Sequence, residues 1–187
     1  MRSPSHSKGH WQFGGRTMGH AMNRAARLVI LIAATAGTVF LRSSAAPGEL
    51  ALSPIFGVGI PPDYRHWELV GVAHETGLDE LRGIVGNAAA IEAYRAGTLP
   101  FPDGAILVKL AWKHVQSTEF EPAFVPGPAT TVQVMVKDSK RYSSTGGWGF
   151  GSFIDGRPVD EAQHQTCFGC HAAGVKQHDF VFTRLAP

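Results

Sequence analysis

The only two cysteines of this 187-residue chain stand three apart, and a histidine follows at once: Cys167-Phe168-Gly169-Cys170-His171. Thiols at that spacing share one turn of a helix. Each can add across one of the two vinyl groups on neighbouring pyrroles of a haem, with the adjoining imidazole then held beneath the iron. The motif predicts one haem c, bound covalently through Cys167 and Cys170, with His171 as the metal ligand. The competing readings are a disulfide, a redox-active dithiol, or half of a zinc site completed by His164, His171 or His178. A zinc site ordinarily draws on a second close ligand pair, and the sequence offers none.

The place of the motif says more. His171 lies sixteen residues from the end of the sequence, and the segment from Ala172 to Pro187 contains no Met. A small electron-carrying cytochrome of class I has its motif near the N-terminus and takes a distal Met from far downstream. Here the one Met after residue 47 is Met135, which precedes the motif. The sequence therefore predicts an open sixth position on the iron, which suits ligand binding or catalysis better than plain electron carriage.

The elements that must position these groups read as an α+β domain, mainly antiparallel β-sheet with a few helices, whose C-terminal helix carries the haem motif. Pro61-Pro62-Asp63 opens a short turn through Tyr64 to Trp67, and 68–73 reads as a strand. Residues 88–96 read as a helix ended by Gly97. Phe101-Pro102-Asp103-Gly104 is a turn before a long strand over 105–115. Strands over 130–136 and 147–154 follow, joined by a polar connection from Lys137 to Ser144. Asp155-Gly156-Arg157-Pro158 then turns into the last helix, from about Val159. Four glycines, Gly146, Gly147, Gly149 and Gly151, lie among Trp148, Phe150 and Phe153 in a strand and do not form a phosphate loop. Alternation gives Gly149 and Gly151 one face of that strand, open to close approach by a flat group or another backbone.

The first 48 residues hold six Lys or Arg and no Asp or Glu, around an apolar run of 14 residues, Leu28 to Leu41, followed by small residues up to Ala46. That is the layout of a secretory leader, too short to span a bilayer as a stable helix of about 20 residues. We therefore expect a signal peptide over 1–46, with an alternative start at Met22, and one domain over 47–187. An uncleaved anchor is the competing reading. Of the 17 Lys and Arg, 11 lie outside the leader, against 15 Asp and Glu, a net charge of −4 that gives no basic face for nucleic acid. Export to the periplasm agrees with the haem, whose attachment in bacteria takes place outside the cytoplasm.

With these residues placed, the chain resembles the cytochrome P-460 family and its non-crosslinked relatives, the beta-sheet cytochromes c prime. The matching runs, in order, are Tyr64-Arg65-x-Trp67, Val70-Gly71, Asp103-Gly104-Ala105, Val108-Lys109, Val136-Lys137-Asp138-Ser139, Trp148, the haem motif, and Val181-Phe182-Thr183-Arg184. The resemblance covers about 61–187. It implies an exported, mostly β, dimeric protein with a five-coordinate haem. It also implies an oxidoreductase acting on hydroxylamine or nitric oxide that passes electrons to a soluble cytochrome. The alternative is a gas-binding cytochrome c prime beta that holds nitric oxide or carbon monoxide without turnover.

The resemblance also implies site roles. Lys109 falls where crosslinked members bond a lysine amine to a haem meso carbon. It is already unusual as a cation in the apolar run Ile106-Leu107-Val108-Lys109-Leu110-Ala111-Trp112, since buried lysines are rare unless paired or modified. The competing reading has Lys109 point to water, as Lys113 would on the same face. Gln133 stands where hydroxylamine-oxidising members are expected to carry a distal Glu, and an amide can hydrogen-bond but cannot accept a proton as a carboxylate does. Arg82 aligns with a distal Arg, and Arg184 is placed to meet a haem propionate or to steady the proximal side. His74, His114, His164 and His178 read as solvated or lightly packed.

Overall fold

The computed structural model describes residues 51–187. These fall within one compact unit, Ser44–Pro187. The expected leader over 1–46 lies outside the described residues. Six strands form a single antiparallel meander in chain order: β1 Glu68–Glu75, β2 Glu80–Gly86, β3 Ile106–Gln116, β4 Phe124–Lys137, β5 Trp148–Ile154 and β6 Arg157–Pro158. Two helices accompany them, α1 Ala88–Ala96 and α2 Glu161–Val175. Neither is long and apolar enough to cross a membrane. The sheet-rich architecture agrees with the expectation from the sequence.

Helix α1 begins where the Asn87 side chain accepts from the Ala90 N–H and ends where Gly97 turns left-handed, at φ 61°. Both are favoured solutions to unpaired helix ends. Its Ala90, Ile91 and Ala93 are buried with Val70 in the hydrophobic core. Helix α2 starts on Asp160, whose carboxylate accepts from the Gln163 N–H.

The sequence reading missed strand β2, and also the two-residue β6, which lies in what reads as a turn. In β2, Gly83 and Gly86 lower strand propensity, and the charged Glu80 and Arg82 break the alternation expected of a half-buried strand. Register holds it all the same, with Arg82 opposite Ala111 and Ile84 opposite Lys109. Strand β4 also begins six residues earlier than expected, at Phe124. Pro126 and Pro128 lie in this added stretch. They are tolerated because this stretch pairs with β3 alone, through two register shifts, beyond the part of the sheet that β5 covers.

Lys137 is not in a polar connection. It ends β4 and is 4% exposed. Its Nζ lies 2.8 Å from both carboxylate oxygens of Asp179 and 3.0 Å from the Gly146 carbonyl oxygen. Gly149 does invite close approach, but by the Tyr142 ring, which sits against its backbone on the core side.

Candidate functional site

Strand alternation puts Arg82 and Ile84 of β2, Leu107 and Lys109 of β3, Gln133 and Met135 of β4, and Phe150 and Ser152 of β5 on one face of the sheet. Those eight side chains form one wall of a cavity of about 380 Å³. The opposite wall is α2 with Cys167, Cys170 and His171, continued by Val181 and Phe182 of the C-terminal segment. The volume lies within the range of about 300–1,000 Å³ typical of ligand sites.

Helix α2 is fixed to the sheet by His164, which is fully buried rather than solvated as the sequence suggested. Its Nδ1 lies 2.8 Å from the Asp160 carbonyl oxygen, to which it donates, and its Nε2 accepts from the Ser152 N–H at 3.1 Å. Both ring nitrogens are thus used within the protein. His164 cannot complete a zinc site with the cysteines without abandoning the bonds that seat the helix.

His171 is held differently. Its Nδ1 is 2.7 Å from the Phe180 carbonyl oxygen and must carry the proton, which leaves the Nε2 lone pair available. The ring packs against Phe150 and Phe182, with centroids 5.1 and 5.0 Å away. Burial outweighs the opposing Phe180 hydrogen bond and, with a smaller push from the Lys109 charge, lowers the His171 pKa, favouring the neutral imidazole that a metal ion requires. The carbonyl that orients it follows Asp179, and both Asp179 and Phe180 adopt left-handed backbone. Asp179 also accepts from the Phe101 N–H at 2.8 Å. The Lys137–Asp179 ion pair therefore fixes the turn that aims His171. Sequence reasoning missed this pair because its members are 42 residues apart; the one available signal was Lys137 within an apolar strand.

Lys109 points into the cavity and not to water, whereas Lys113 on the same strand is exposed, its Nζ donating to the Leu78 carbonyl at 2.5 Å. Burial, then the Arg82 charge, pushes the Lys109 pKa down to about 8, against the smaller opposing pull of Glu80 and Glu75. Gln133 stands directly opposite Lys109 in the register, and its Nε2 is 3.4 Å from Ser152 Oγ. Arg82 reaches the cavity but is already bound, at 2.9 Å to each of Glu75 and Glu80. Glu80 also accepts from Thr130 Oγ1 at 2.7 Å. Burial is the largest influence on Glu80 and raises its pKa. The Thr130 bond and Arg82 together overcome it, so the carboxyl stays below its usual range.

Arg184 is not among the lining residues. Its guanidinium donates to the carbonyls of Val181, Phe182 and Thr183 and so braces the C-terminal segment it belongs to. Met135 does line the cavity. Its cross-strand neighbour is Phe150, whose ring packs on His171.

The residues present fit a haem. Both thiols are free and border the cavity, one imidazole nitrogen is unengaged, and Leu107, Val134, Phe150 and Val181 supply an apolar lining for a flat macrocycle. Burial raises the Cys167 pKa, so this thiol is kept protonated, the form that adds to an alkene as S–H.

Two comparisons with known proteins bear on the site. The family model described as Cytochrome P460 matches residues 61–183, a span that contains both walls of the cavity. No curated protein matches the chain.

Proposed function

The chain belongs to the cytochrome P460 family, whose cofactor is a haem, and from that premise we propose that it is an exported mono-haem c-type oxidoreductase acting on hydroxylamine or nitric oxide. The observation that carries the reading is the meeting of Lys109, Gln133 and Arg82 with Cys167, Cys170 and His171 around one cavity. The haem, when bound, would supply an iron that takes electrons one at a time. The chain's own residues do the rest.

Cys167 and Cys170 would hold the haem, each S–H adding across one vinyl bond to form an S–C bond with no net redox change. His171 would ligate through Nε2, since its Nδ1–H is held on the Phe180 carbonyl. Lys109, with its pKa near 8, presents a substantial neutral fraction of amine at mildly alkaline pH. Bonded to a meso carbon of the haem, that amine would replace the meso hydrogen, and an external two-electron oxidant would have to take the electrons while two protons leave to solvent. Arg82, anchored by Glu75 and Glu80, holds positive charge at the cavity edge, where it favours anionic or electron-rich ligands. Export to the periplasm, a homodimeric state and a soluble cytochrome as electron acceptor complete the proposal.

One observation favours a second reading. Among the described residues lining the cavity there is no carboxylate, and the two acids that meet its Arg82, Glu75 and Glu80, are engaged by that guanidinium. Oxidising hydroxylamine releases protons with the electrons, and Gln133 cannot accept one. With no other base, the same cavity is that of a gas-binding cytochrome which holds nitric oxide or carbon monoxide without turnover.

Mass spectrometry of the proteolysed holoprotein separates the two. A haem peptide that retains the Lys109 segment after digestion supports the crosslinked enzyme. Release of that segment, together with no sustained hydroxylamine consumption in the presence of an electron acceptor, leaves the gas-binding protein. A low-spin six-coordinate ferric spectrum would exclude both.

A further inference from the structure

His74 near the end of β1, Asp79 in the β1–β2 turn and His114 in β3 come together on the part of the sheet turned away from the cavity. One ligand atom from each lies within 4.8 Å of the others. In the register, Ala73 and Arg82 belong to the cavity face, so the neighbouring His74 belongs to the other. None of the three lines the haem cavity.

The cluster has the chemistry of a metal site, not only that of a hydrogen-bonded pair. His114 Nε2 is 2.7 Å from Asp79 Oδ1, which accounts for one ring nitrogen. The other, Nδ1, is sealed from solvent and has no hydrogen-bond partner. Such a polar atom ordinarily finds a partner, and its lack here leaves the imidazole held at one nitrogen alone. His74 approaches that ring edge-on, with centroids 4.6 Å apart, and Phe124 closes the other side at 4.4 Å. The ring is confined yet not locked by a second bond. The neighbouring Lys113 does not compete, since its ammonium is taken by the Leu78 carbonyl.

We propose that His74, Asp79 and His114 bind a divalent ion of the zinc type, each giving one ligand atom and a water taking the fourth position. Two imidazoles and one carboxylate form a nitrogen-rich, borderline donor set, which suits Zn²⁺ far better than Mg²⁺ or Ca²⁺. Bonds of about 2.0–2.2 Å in a tetrahedron put neighbouring ligand atoms roughly 3.3–3.6 Å apart, so the 2.7 Å contact between His114 and Asp79 would open slightly as the ion enters. The longest separation, at most 4.8 Å, must therefore close by no more than about 1.5 Å, within reach of a rotamer change at His74, which is exposed. Because the ligands come from two strands and a turn, the ion would tie the open end of the sheet together. This site does not depend on the haem reading.

The test is calorimetric titration of the holoprotein with Zn²⁺ alone, beside the variants His74→Gln, Asp79→Asn and His114→Ala. The expected result is one saturable Zn²⁺ site per chain, weakened by more than about 10-fold in each variant, the scale at which even a supporting residue of a metal site is felt. Zn²⁺ should also raise the thermal midpoint of the wild type but not of His74→Gln, a surface change that leaves the fold intact. The haem absorption spectrum should stay unchanged throughout. Absence of saturable binding, or equal affinity in wild type and His74→Gln, overturns the proposal. So does a change in the haem spectrum that tracks the titration, because the ion would then be at the cavity.

Discussion

Two lysines of the same sheet are drawn away from water, and their surroundings give them opposite parts. Lys137 ends β4 against Asp179, the Gly146 carbonyl and the face of Trp148, whose ring centroid is 5.0 Å from Nζ. Every demand of the ammonium is met, and the pair serves to hold the turn that aims His171. Lys109, on the neighbouring strand, is met by burial and by the repelling charge of Arg82, and no hydrogen bond is among the influences on it. A satisfied buried cation is structural. An unsatisfied one gives up its proton more readily and is available for chemistry.

The largest expected effect that can break this comparison is on Lys137. Its side chain and that of Asp179 are 5% and 8% exposed, so Lys137→Ala leaves a buried carboxylate without its partner. A loss of about 3–5 kcal/mol in urea unfolding is expected. A loss under about 1 kcal/mol would show that the pair is no more than a surface contact.

The next effect concerns the residue opposite Lys109. Gln133→Glu puts a proton acceptor in the cavity, and hydroxylamine turnover with an electron acceptor should rise by about 100-fold, the lower end of what a positioned base supplies. If neither turnover nor the haem spectrum changes, Gln133 has no part in the chemistry.

A third test uses the pKa itself. In protein lacking the crosslink, acylation of Lys109 by an amine-selective reagent should reach half its maximal rate near pH 8, while the exposed Lys113 is still rising. Peptide mass spectrometry after pulsed labelling reads both sites, and equal profiles would remove the distinction.

The smallest effect is on stability. A lysine whose folded pKa is about 8, below its usual 10.5, binds more protons unfolded than folded between those values. Its contribution to stability therefore rises with pH across that window and is least favourable below pH 8. In the uncrosslinked protein, Lys109→Leu should leave stability equal or slightly higher at pH 7, and the advantage should fade toward pH 10.5. A clear loss at pH 7 would mean that Lys109 is paired after all.

How much of this was legible in the sequence depends on the range of the interaction. The turn before β3, the Gly97 end of α1 and the strand over β3 follow from local backbone preferences, and structure and expectation agree there to within a residue or two. Strand β2 was not legible, because what makes it a strand is its register against β1 and β3 and not its own residues. His164 looked like any polar residue on a helix of low amphipathicity. Only the Ser152 N–H, 12 positions away on β5, makes it a buried anchor.

The sequence by itself determined the chemistry the chain can carry: two thiols and an imidazole on one helical turn, and a lysine inside an apolar run. These are statements about neighbours along the chain, fixed by covalent spacing and by the periods of helix and strand. Tertiary structure alone decided which side of the sheet Lys109 faces, that Gln133 stands opposite it, that Arg82 arrives already bound to two carboxylates, and that Asp179 fixes the carbonyl holding His171. Those contacts join residues far apart in sequence, and their energies depend on burial and on charges that only the folded chain brings within reach of one another.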